Sequence, residues 1–62
     1  MTTAPIEFRA RREALGLGQS ALADLLGVTQ PSVARWESGA RPIPEGVLAE
    51  LGELEDRVED LV

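Results

Sequence analysis

The stretch VTQPSVARWESG, Val28 to Gly39, decides how the rest of the chain is read. It carries the punctuation of a short helix. Thr29 suits an N-cap, because its hydroxyl oxygen can accept from a backbone N–H of the first turn, and Gly39 supplies a left-handed stop. Pro31 lies between them, where proline would ordinarily break a helix. With Thr29 as the cap, however, Gln30 is the first helical residue and Pro31 the second, inside the turn whose N–H groups have no intrahelical acceptor. Proline there forfeits no helix hydrogen bond, and its fixed φ suits the geometry. Pro31 therefore starts a helix. The residue alone leaves open whether its ring also makes apolar contact with something docked at that terminus.

The flanking sequence repeats this punctuation. A second helix fits Gln19 to Leu26, with Leu22, Leu25 and Leu26 inward and Gly27 as its stop. A first helix begins near Pro5, a good first-turn residue, and ends before Gly16, with Phe8, Arg12 and Leu15 on one face. A proline-bracketed turn, RPIP (Arg41–Pro44), precedes one long helix from about Pro44 to the terminus. Gly46 and Gly52 weaken that helix by about 1 kcal/mol each relative to alanine. No sustained alternation and no Asn-Gly turn mark a strand. The expected fold class is all-α, with four helices.

Composition narrows the function classes. Sixty-two residues without cysteine or histidine offer neither disulfide staples nor the commonest zinc ligands. Such a small domain must lean on helix packing or on a partner subunit. No metal, cofactor or small-molecule ligand is expected. Nothing resembles a signal peptide or a membrane span, which points to a cytoplasmic protein. The net charge of −5 argues against non-specific nucleic-acid binding, which depends on neutralised phosphates. That average hides a split. Residues 1–43 set Arg9, Arg11, Arg12, Arg35 and Arg41 against Glu7, Glu13, Asp24 and Glu37, for +1. Residues 44–62 set seven acids against Arg57, for −6. The acid belongs to the last helix and says little about what the first two-thirds can touch.

Helices two and three are joined by Gly27, Val28 and Thr29, a three-residue connection containing glycine, which is a helix-turn-helix arrangement. The spacing across it has physical reasons. Ala23 must be small where helix three crosses closely, Gly27 takes a turn conformation that bulky residues avoid, and Val33 and Trp36 fill the space between the helices. LGLGQSALADLLGVTQPSVARWESG, with FRARREA before it, resembles the phage-repressor-like (Cro/repressor, Xre-type) helix-turn-helix domains over roughly Phe8 to Ile43. WESGARPIPEGVLAEL bears a further, narrower resemblance to the small anti-CRISPR-associated and similar phage autoregulators.

The resemblance implies a lambda-repressor-like fold whose third helix enters the DNA major groove. Carried over residue by residue, Gln30, Pro31, Ser32 and Arg35 face bases and Gln19 clamps a phosphate. Gln30 can pair with adenine and Arg35 with guanine, while the Pro31 ring can lie against a thymine methyl. Arg9, Arg11 and Arg41 are candidates for flanking phosphates; the alternative for each arginine is an ordinary solvated side chain. The resemblance also implies a partly buried salt bridge between Arg12 and Glu37. The chain departs from the family at Gly18, where a serine is common, and in its single long acidic helix.

In that helix Val47, Leu51, Leu54, Val58 and Leu61 repeat at spacings of four and three, a heptad seam. Two packings are open to it: back onto its own domain, or against a second copy. Val47, Leu48 and Leu51 are expected to pack internally, while Leu51, Leu54, Val58 and Leu61 supply a dimer interface. The organisation expected is a DNA-binding core over 1–43 and an acidic dimerisation element over 44–62, in one compact domain. The expected function is that of a sequence-specific transcriptional regulator. It would act as a homodimeric repressor on an inverted-repeat operator of a small phage or mobile-element operon, its own included. The rival is an antitoxin-like or adaptor module whose acidic helix binds a basic protein. No enzyme is expected, since the acids read as a solvated helix face.

Overall fold

The computed structural model describes residues 4–60, with side chains through Arg57. Four helices follow one another: α1 (Ala4–Ala14), α2 (Gln19–Leu26), α3 (Gln30–Ser38) and α4 (Glu45–Asp60). Among the described residues there is no strand, and no helix is long and apolar enough to cross a membrane.

The turns are built by local chemistry. At the end of α2, Gly27 adopts φ 71° and ψ 30°, the left-handed region that glycine enters at no steric cost. Its N–H reaches the Asp24 carbonyl, and the Val28 N–H reaches that of Ala23, which satisfies two carbonyls the helix end would otherwise strand. The α1 end repeats the device at Gly16, with Leu17 N–H bonded to the Arg12 carbonyl. Thr29, extended at φ −92° and ψ 152°, caps α3 through its side-chain oxygen, which accepts from the Ser32 N–H. Pro31 is the second helical residue, as its position after the cap predicts.

One apolar core joins all four helices: Phe8 from α1, Leu22, Ala23 and Leu26 from α2, Val33 and Trp36 from α3, and Val47 and Leu51 from α4. Phe8 meets Trp36 edge-on, with ring centroids 6.0 Å apart and planes at 76°, a favoured aromatic geometry. Leu15, Leu17, Val28, Ile43, Leu48 and Leu54 pack around this centre.

Two apolar expectations are corrected. Leu25 is 57% exposed, not inward. It sits about 160° around α2 from the buried Ala23, so the packing that covers Ala23 leaves Leu25 on the opposite, open face. Leu51 is fully buried, so it has no surface to offer a second copy. The proline-bracketed turn lays the first half of α4 across α2, and Val47 and Leu51 close the core there. The first half of α4 is thus part of the domain's own interior, where Val47, Leu48 and Leu51 were expected to pack. Of the remaining seam, Leu54 is half-buried against the core. The Val58 side chain and the whole of Leu61 lie outside the described residues.

Candidate nucleic-acid interface

α3 divides along its length into a buried and an open face. Val33 and Trp36 point into the core, while Gln30, Pro31 and Arg35 are exposed and Ser32 is half-buried. The 3.6-residue period turns Pro31 and Arg35 away from Val33 and Trp36 and leaves Gln30 and Ser32 at the borders of the open face. The Ser32 hydroxyl lies 2.9 Å from the Thr29 hydroxyl, which ties it to the helix cap.

Beside this face is a polar cleft of about 320 Å³ lined by Arg9, Arg12, Gln19, Ala34, Glu37 and Ser38. Its floor is an ion pair. The Arg12 Nε donates to Glu37 Oε2 at 2.6 Å and its Nη2 donates to Glu37 Oε1 at 2.9 Å. Arg12 Nη1 also donates to the Leu17 carbonyl at 2.8 Å, so the guanidinium braces the α1–α2 turn as well. The two side chains are 10% and 5% exposed. Burial opposes ionisation of Glu37, but hydrogen bonds from Arg12 and Gln19, together with the Arg12 charge, outweigh it and hold the carboxyl below its ordinary value.

From this pair a chain of hydrogen bonds climbs to the open face. Gln19 Nε2 donates to Glu37 Oε1 at 3.1 Å, and Gln30 Nε2 donates to Gln19 Oε1 at 2.7 Å. These two contacts are absent from the sequence reading, in which Gln19 and Gln30 act separately. Their signal was available only in part: Gln19 opens α2 and Gln30 opens α3, but that the two helix starts lie side by side depends on the angle of the turn. Ala34 and Ser38 are also cleft residues that motif matching passed over. Both follow Gln30 at four-residue spacing, the period of one helix face.

The remaining cations divide. Arg9 borders the cleft, with its Nε 2.6 Å from Glu13 Oε1 in an exposed pair one turn along α1. Arg41 is exposed beyond the end of α3, its backbone N–H donating to the Arg35 carbonyl at 3.3 Å. Arg11 is not among them. Its Nε lies 3.0 and 3.2 Å from the two oxygens of Glu55, and its Nη2 joins the same carboxylate. One residue along a helix is a rotation of about 100°, enough to turn Arg11 from the cleft toward α4. The expectation of a phosphate contact from Arg11 is replaced by a clasp between α1 and α4. Hydrogen bonding from Arg11 holds the Glu55 carboxyl below its usual range despite partial burial.

Two helices set against each other by a short glycine turn, the second with its core face buried and its polar face open, define a helix-turn-helix protein. The chain belongs to the helix-turn-helix domain family, whose model matches residues 6–61. The match runs through α4, consistent with a core that α4 completes, and it agrees with the resemblance to the phage-repressor-like domains. No curated protein and no solved structure matches the chain. Membership of this family marks the protein as a DNA-binding regulator.

Proposed function

We propose that this protein is a sequence-specific transcriptional repressor that places α3 in the major groove of operator DNA. The observation that carries the reading is the open face of α3, with Gln30 and Pro31 exposed in its first turn and Arg35 in its last, on a helix anchored by the buried Val33 and Trp36. Gln30 reads adenine, Arg35 reads the O6 and N7 of guanine, and Pro31 and Ser32 border the thymine methyl and the backbone. Arg9 and Arg41 flank these residues and meet phosphates.

One copy brings few free cations to DNA, which favours two copies on an inverted repeat with half-sites about 34 Å apart. In this reading the second copy packs against the end of α4, on Leu54, Val58 and Leu61. Bound across a promoter, such a dimer excludes polymerase by occupancy.

Selection of bound sequences from a random DNA pool tests the reading. A symmetric motif with salt-sensitive binding is expected, and Arg35→Ala should weaken binding about tenfold or more while leaving the helical circular-dichroism spectrum intact. Absence of salt-sensitive enrichment would overturn it. Replacing Val58 and Leu61 by serine leaves Leu54 and the Arg11–Glu55 clasp in place. The sedimenting mass should then fall to that of one chain, and an unchanged dimer mass would remove the α4 interface.

A further inference from the structure

We propose that the Glu37 carboxylate sets the polarity of the Gln19–Gln30 amide pair, and through it the preference of Gln30 for adenine over guanine. The inference rests on the reading of Gln30 as a base-contacting residue. It assigns Glu37 a positioning role in addition to its ion pair with Arg12.

A carboxylate offers lone pairs and no proton, so only a donor can face it. Glu37 Oε1 already accepts from Arg12 Nη2 at 2.9 Å, and it accepts from Gln19 at 3.1 Å. The Gln19 group facing it must therefore be the NH₂. The Gln19 oxygen then points the other way, where it can only accept, and the Gln30 group that meets it at 2.7 Å must again be the NH₂. Orientation is thus passed along two amides from one buried, fixed charge. Carboxamides otherwise have no such preference, since a half-turn of the terminal torsion exchanges nitrogen and oxygen at little steric cost.

The consequence falls on what Gln30 has left to show. With one N–H spent on Gln19, it retains one N–H and its carbonyl oxygen, a donor beside an acceptor. Adenine presents the complement in the major groove, the N7 acceptor and the N6 donor. Were the pair inverted, the Gln30 oxygen would be spent on Gln19 and two N–H donors would face outward. That pattern suits the two acceptors of guanine, N7 and O6. Glu37, about two turns along α3 from Gln30 and nearly buried, selects between the two.

The test is selection from a random DNA pool by wild type, Gln30→Ala, Gln19→Met and Glu37→Gln, with base frequencies compared column by column. Wild type should prefer adenine over guanine on the order of tenfold at one position of each half-site. Gln30→Ala should erase that column. Gln19→Met removes the link without touching the Arg12–Glu37 pair, and should lower the adenine-to-guanine ratio at the same column about threefold or more while other columns hold. Glu37→Gln, where circular dichroism shows it folded, should relax the same column; where it does not fold, Gln19→Met decides. If Gln19→Met weakens all sequences equally and leaves the ratio unchanged, Gln19 is only a phosphate contact and the inference fails while the Gln30 reading stands. If Gln30→Ala leaves the motif unaltered, or wild type enriches no motif, the underlying reading fails and the inference with it.

Discussion

Glu37 binds three donors from two other helices and is almost without solvent, so removing it leaves the buried Arg12 guanidinium with only the Leu17 carbonyl and the exposed Glu13, 3.9 Å away. Glu37→Ala should lower folding stability by about 3–5 kcal/mol, seen as a fall in the urea midpoint; a midpoint equal to wild type would mean the pair contributes nothing. Acid should produce a graded form of the same loss. Because the Glu37 and Glu55 carboxyls lie below their ordinary 4.5 when folded, the stability they supply is full above that value. It declines as pH falls through 4.5 toward the depressed values, so the urea midpoint at pH 3.5 should lie clearly below that at pH 7. A midpoint flat across this range would contradict the carboxylate assignment. At this scale the sequence was uneven as a guide. Arg12 and Glu37 were legible because a family motif fixes both positions, and the exposure of Gln30 and Arg35 follows from helical period. Arg11 was not legible, because its partner stands 44 residues away on a helix whose direction no local pattern encodes.

Helix limits were readable for a related reason: Gly16, Gly27, Thr29, Pro31 and Gly39 act on their immediate neighbours, and each stands where the structure uses it. The packing of α4 was not readable to the same degree. A heptad seam is satisfied equally by the chain's own core or by another copy, and only the fold-back after the proline turn assigns Leu51 to the former. Leu51→Ala tests that assignment. It should cost about 2–5 kcal/mol of folding stability by chemical denaturation, as for any fully buried leucine. A variant as stable as wild type but reduced in sedimenting mass would return Leu51 to an interface. The Arg11–Glu55 clasp holds the second half of α4 against α1, yet its side chains are 37% and 34% exposed, so it contributes about 1 kcal/mol or less. Apolar burial fixes where α4 begins, and the clasp fixes where it points.

Across the whole molecule, most of the acid is gathered on one helix, away from the arginines at the end of α3. Acidic residues crowd α4, which packs on α2 and reaches α1, while Arg35 and Arg41 stand at the open face and end of α3. A chain of net charge −5 can therefore approach DNA from one side only. Arg41→Ala should weaken binding to all sequences alike and lower the slope of log affinity against log salt by about 1 per site, measured by titration across salt concentrations. A change confined to one base column would instead make Arg41 a reader of sequence. The pairing of Phe8 with Trp36 has a practical corollary. Trp36 is the chain's single tryptophan, there is no tyrosine, and the indole sits 6% exposed on the core side of α3. Its ultraviolet emission is a built-in optical gauge of whether α1 and α3 are seated together. The indole faces away from the surface that would carry DNA, so its emission wavelength should shift red on unfolding and stay in place on titration with operator.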